Sequence, residues 1–280
     1  KTGKSGLCVS TNRNLYFAHF DPHDNIDGHL LSRESKGYTS PVRLKKYPPM
    51  PYKNLTKDEA QRKVEDLEQF AADARAECLS KDEYGLFIID GARWLKGLVE
   101  KWKLGDSATL GYRAKSGEKG VSSIEYAESN SYFADIVNGF LGSNVSLVLT
   151  FEGRERWVPT TEGGRTVRKP SGKVEARIPG DVSFSFNALV ETLVEVVPSV
   201  VIDNKQQYEF KYKIRFEWIG QVDMGYMRNR TIPNEGFDAM IDLLRSELPE
   251  EANKALEPKH VINRMDMDDD LTPPEGDGAE

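Results

Sequence analysis

Gly85-Leu86-Phe87-Ile88-Ile89-Asp90 is an uninterrupted apolar run that ends in an acid. A strand buried on both faces reads this way, without the alternation of a half-exposed strand, and such strands belong to parallel sheets covered by helices. The acid then emerges at the carboxyl edge of the sheet, where α/β proteins bind their ligands. A buried strand whose Asp merely caps the following helix is the plainer alternative.

Working outward, the flanking segments alternate strand and helix, which argues for an α/β domain with a mainly parallel central sheet. Asn14 to Phe20 (N-L-Y-F-A-H-F) reads as a strand ending at Asp21. Thr56-Lys57-Asp58-Glu59 forms a capping box, and Val64, Leu67, Phe70, Ala71 and Ala74 follow at helical spacing, predicting a helix over 56–79. Trp94, Leu95, Leu98 and Trp102 mark a helix after Asp90, and a further helix over 124–141 leads into a strand over 144–150 that exits at Thr150. Near the C-terminus, Tyr208, Phe210, Tyr212, Ile214, Phe216 and Trp218 alternate with charged residues. That strand, paired with the segment 189–203, is expected to form an antiparallel hairpin extending the sheet at its C-terminal edge. A helix begins at Pro233-Asn234.

Composition narrows the class. The 280 residues are 38% hydrophobic and 30% charged, and no apolar run approaches the roughly 18 residues of a membrane-spanning helix, which leaves no membrane partner. Cys8 and Cys78 are the only cysteines and lie far apart, so neither a disulfide framework nor a cysteine zinc site is available. A reducing compartment, the cytoplasm, is expected. The formal charge of −7 is carried by the seven acids between Asp266 and Glu280, leaving the rest neutral. Residues 1–250 are therefore read as one folded domain and 251–280 as a disordered acidic tail, either a solubilising terminus or a competitor for a cationic groove.

The chain opens on Lys1-Thr2-Gly3-Lys4-Ser5-Gly6, which carries the second half of G-x-x-x-x-G-K-[ST]. The first half, and the strand that feeds it, would precede Lys1. In this motif backbone N–H groups cradle phosphate oxygens, Lys4 reaches the β- and γ-phosphates and Ser5 ligates magnesium. Gly3 keeps a side chain out of the cradle. A flexible Lys/Gly/Ser-rich terminus is the bland reading of the triplet alone. Asp90 supplies the other half of a metal site that Ser5 begins.

With these residues in view, the chain resembles a RecA-like P-loop ATPase, on K-T-G-K-S, L-Y-F-A-H-F-D, L-F-I-I-D and V-S-L-V-L-T followed by a charged, hairpin-like stretch. It is similar, over roughly 1–248, to phage-encoded ATP-binding proteins of that fold associated with single-strand DNA recombination and annealing. The resemblance implies ATP and Mg2+ as cofactors, bound by Lys1, Thr2, Gly3, Lys4, Ser5 and Gly6, with Ser5 and Asp90 on the metal. It implies a sensor role for Thr150 and a catalytic acid at Asp21. It further implies a homo-oligomer, single-strand-binding or recombination proteins as partners, and the cytoplasm of a bacterial or phage-infected cell. Asp90 is followed by Gly91, so the Asp-Glu pair of many AAA+ enzymes is missing and the general base must come from elsewhere. Asp21 and then Glu152 are the candidates, since each follows a strand whose exit faces the same edge. A nucleotide-dependent protein-interaction switch or loader, with slow hydrolysis and no DNA contact, is the alternative function.

Three further features bear on partners. His19, Asp21 and His23 sit at alternate positions, so a zinc or manganese site is weighed against a polar strand exit. The stretch 152–180 holds seven bases against four acids. Arg154, Arg156, Arg165, Arg168, Lys169 and Lys173, with Trp157 for stacking, suit single-stranded DNA, although an ordinary mixed-charge hairpin has the same composition. Tyr112 to Lys119 is a second basic loop, and Arg215, Arg228 and Arg230 are candidate arginine fingers.

Overall fold

The computed structural model describes residues 4–21, 25–47, 52–106, 123–141, 143–162, 165–176, 188–202, 205–219 and 236–247. In chain order these form α1 (Lys4–Val9), β1 (Asn14–His19), α2 (Ile26–Ser35), β2 (Val42–Lys46), a 3-10 turn (Tyr52–Asn54), α3 (Lys57–Ser80), β3 (Gly85–Asp90), α4 (Ala92–Leu104), α5 (Ser123–Asn138), β4 (Val145–Leu149), β5 (Gly153–Glu162), β6 (Arg165–Ala176), β7 (Ala188–Ile202), β8 (Lys205–Ile219) and α6 (Gly236–Glu247).

Four strands pair in the order β2-β1-β3-β4, all parallel. The two inner strands explain the apolar run. Every residue of β3 is buried, because Phe87 and Ile89 pack on one side while Leu86 and Ile88 pack on the other. In β1, Tyr16 and Ala18 share the first side, and Leu15 and Phe17 the second. Helices α3, α4 and α5 cover the first side with Val64, Leu67, Ala71, Leu95, Leu98, Phe133 and Val137. On the second side, α1, α2 and α6 contribute Cys8, Val9, Ile26, Phe237 and Met240. Each fully buried Leu, Ile or Phe contributes about 1.5–3 kcal/mol, so the two faces together dominate stability.

The long helix α3 starts as its sequence dictates. Thr56 Oγ1 accepts the Glu59 N–H at 3.2 Å, and Glu59 Oε2 accepts the Thr56 N–H at 2.8 Å. The Thr56 N–H, and then the Thr56 hydroxyl donating to Glu59 Oε2 at 2.9 Å, hold the Glu59 carboxyl below its ordinary range. The opposite layer closes through α6. The Phe237 N–H donates to Ser10 O at 3.0 Å, while Asp238 accepts from Thr11 Oγ1 at 2.6 Å and from the Asn12 N–H at 3.0 Å. Gly236 makes this approach possible: its φ is +85°, and a Cβ there would sit 2.7 Å from Ser10 O. Arg33 on α2 braces the same loop, donating to Thr11 O and Tyr38 O at 3.0 Å and to Ser40 Oγ at 2.6 Å.

The C-terminal strands correct one expectation. β7 and β8 form the antiparallel hairpin read from the alternation, but among the described residues they pair only with each other, and β5 and β6 do likewise. The hairpin therefore does not extend the central sheet. The expectation failed because alternation records that one face of a strand differs from the other and not which edge the strand joins. α2 and β2 lie between the first strand and the capping box at Thr56, where the sequence reading named no element. Asn25 caps α2 by accepting the Gly28 N–H, and only Val42 and Leu44 of β2 pack inward, too short an alternation to stand out. No helix among the described residues is long and apolar enough to cross a membrane.

Candidate functional site

The parallel register brings strand ends together. His19 is the register partner of Asp90, and Ile89 pairs with Leu149, which leaves Thr150 beside Asp90 one residue further on. Main-chain bonds continue past the strands: the Phe20 N–H donates to Asp90 O, the Thr150 N–H to Ile89 O and the Ala92 N–H to Thr150 O, at 3.0–3.1 Å. Gly91 has φ +88°, which lets the chain leave β3 and enter α4 within one residue.

Asp90 is 2% exposed, and a buried carboxylate must be paired or hydrogen-bonded. Its partners come from three separate elements. Thr150 Oγ1 donates to Oδ1 at 2.7 Å, Ser5 Oγ donates to Oδ2 at 3.0 Å, and His19 Nδ1 lies 3.2 Å from Oδ2. Thr150 is fixed in turn, since its Oγ1 accepts the Gly91 N–H at 2.8 Å. Ser5, His19 and Thr150 are themselves buried. Burial, with the Asp90 carboxylate adding to it, pushes the neighbouring Cys8 thiol up, so Cys8 stays protonated at neutral pH and is a packing residue here rather than a nucleophile.

The donor set fits a hard cation of the magnesium type. Ser5 and Asp90 present hydroxyl and carboxylate oxygens 3.0 Å apart, close to the edge of an octahedron with bonds of about 2.0–2.1 Å. Magnesium takes few protein ligands and leaves its other positions to water and phosphate. Among the described residues no three His, Cys, Asp or Glu side chains converge on a metal position. His19 faces Asp90, and His23 lies outside the described residues.

The other expected site residues divide. Lys4 and Gly6 lie on α1 with Ser5, while Lys1, Thr2 and Gly3 lie outside the described residues. Asp21 is half-buried, two residues past the end of β1. Glu152 is half-exposed and ion-paired to Arg93 at 2.8 Å, across the start of α4. Arg154, Arg156 and Trp157 fall on β5, and Arg165, Arg168, Lys169 and Lys173 on β6, where Val158 pairs with Lys169 and Pro159 with Arg168. Lys169 is exposed. Arg215 lies on β8 opposite Glu191; Arg228, Arg230, the basic loop 112–119 and the acidic tail lie outside the described residues.

The sequence reading did not anticipate His19 as the partner of Asp90. Its signal was present: a polar residue closes an otherwise apolar strand, as Asp90 does, and parallel neighbours in register present their last residues side by side. The chain shows no match to any family model, curated protein or solved structure with which it was compared.

Proposed function

We propose that the protein is a magnesium-dependent P-loop ATPase of RecA-like fold that couples ATP binding and hydrolysis to recombination, annealing or repair of single-stranded DNA. The observation that carries this reading is the hydrogen bond from Ser5 to Asp90, 85 residues apart in sequence. It joins the K-T-G-K-S motif to the acid at the end of the central apolar strand, the two halves of a nucleotide-metal site. The three-layer α/β/α arrangement around a parallel sheet supports the fold assignment.

In this reading Ser5 and Asp90 hold the metal, Lys4 binds the β- and γ-phosphates, and Thr150 keeps Asp90 in place. When bound, the cation neutralises charge on the phosphate oxygens. Asp21 is the first candidate for general base and Glu152, ion-paired to Arg93, the second. The β5–β6 hairpin with its basic residues is the surface offered to DNA, and a homo-oligomer, working with single-strand-binding or recombination proteins, is the active form.

The test is ATP hydrolysis with and without single-stranded DNA at two salt concentrations, beside Lys4→Ala. Turnover that disappears in Lys4→Ala, and a DNA stimulation that weakens with salt, is the expected result. Hydrolysis indifferent to DNA would retain the ATPase and replace DNA by a protein partner, the switch or loader reading. Absence of Mg-ATP binding would refute both.

A further inference from the structure

We propose that His19 is a positioning residue that holds the Asp90 carboxylate in one orientation by donating its Nδ1–H to Oδ2, an inference that rests on the ATPase reading above. The partner atom is a carboxylate oxygen, which only accepts hydrogen bonds. An imidazole that contacts it at 3.2 Å through Nδ1 must therefore carry a proton on Nδ1.

The need for such a residue follows from the geometry. The terminal torsion of an Asp side chain is broad, so its plane must be set by neighbours. Oδ1 is set by Thr150. Oδ2 has two partners, Ser5 and His19, and they differ in kind. Ser5 belongs to the short helix α1 and is the hydroxyl that would share a cation with Asp90. His19 belongs to β1, buried on both faces and hydrogen-bonded on both sides: Ala18 pairs with Lys45 and Ile89, and the Tyr47 N–H donates to His19 O at 2.9 Å. Thr150 and His19 thus grip opposite carboxylate oxygens from the two strands that flank β3, independently of what Ser5 does. Partners of a metal ligand typically matter about 10–100-fold in metal affinity, because they fix the ligand's orientation.

His19→Asn and His19→Ala separate this role from simple packing. The Asn side-chain amide places an N–H donor near the position of Nδ1, whereas Ala removes it. In the full-length chain, the affinity of a fluorescent ATP analogue is measured across a magnesium titration and again in EDTA. The Nδ1 proton of the wild type is read from its 15N shift in long-range 1H–15N spectra. His19→Ala is expected to raise the Mg2+ concentration at half-saturation about 10-fold while leaving affinity in EDTA within about twofold. His19→Asn recovers most of the loss, and the spectra show a protonated Nδ1.

A bare Nδ1, an unchanged magnesium requirement in His19→Ala, or an Asn variant as impaired as the Ala variant each overturns the proposal. If His19→Ala does not fold, the Asn variant and the wild-type spectrum still decide. Wild-type protein without magnesium-dependent nucleotide binding defeats the ATPase reading instead, and the Nδ1 resonance then reports separately on whether His19 holds Asp90.

Discussion

Replacing Thr150 by valine keeps the shape of the side chain and removes one oxygen, so its cost can be worked from the structure. That oxygen makes two bonds: it donates to the buried Asp90 carboxylate at 2.7 Å and accepts the Gly91 N–H at 2.8 Å. A hydrogen bond to a charged group is worth about 1.5–3 kcal/mol, and an N–H left without a partner costs about 1–3 kcal/mol. The sum for Thr150→Val is about 2.5–6 kcal/mol, a large share of the roughly 5–15 kcal/mol by which domains are stable. At about 2–4 °C per kcal/mol, Tm should fall by about 5–24 °C. Thr150→Ser keeps both bonds and loses one buried methyl, for about 1 kcal/mol. Urea unfolding followed by far-UV circular dichroism measures all three proteins, with an unchanged m-value showing that only stability moved. A valine variant within 1 kcal/mol of wild type, or a serine variant as unstable as the valine one, would refute the assignment of Thr150 as the clamp on Asp90.

Arg43 and then Lys81 hydrogen-bond Glu77 and hold its carboxyl down to about 2. Because the folded value is depressed, the pair's stabilisation is present above the ordinary carboxyl range and is lost as pH falls from about 4.5 through about 2. Arg43 and Lys81 are half-exposed, so Glu77→Gln should cost only about 1 kcal/mol at pH 7, and urea midpoints taken down to pH 3 should show the deficit narrowing. Gly236→Ala should cost about 2–4 kcal/mol, since its Cβ would meet Ser10 O at 2.7 Å; Gly37→Ala, at a similar φ of +81° with open space around it, should cost about 1–2 kcal/mol. Equal losses in thermal unfolding would remove the α1–α6 approach from the explanation. Cys8 and Cys78 are 5% and 0% exposed and should react with a thiol reagent only as fast as the protein opens. Labelling of Cys8 in the native protein at a free-thiol rate would contradict its packing beneath α6.

Local signals in the sequence determined the elements around the site. The capping box placed the start of α3 at Thr56, the helical spacing of Val64, Leu67, Ala71 and Ala74 named its buried face, and the apolar run 85–89 marked a strand covered on both sides. Ser5, Asp90 and Thr150 were legible as candidates, and the structure brings their side chains together, because motif and strand-exit position are themselves short-range patterns. Which atoms meet was decided only by the tertiary structure. The pairing of His19 with Asp90 depends on the β1–β3 register, and the contact of Thr150 with the same carboxylate depends on β4 lying beside β3. Those separations are 71 and 60 residues, beyond the reach of any local periodicity. The same holds for the long hairpins. Alternation over 208–218 announced a half-buried strand, but alternation records that one face differs from the other and not which sheet the strand joins. Which edge a strand joins depends on segments far apart in sequence meeting in the folded chain, and no local pattern records that.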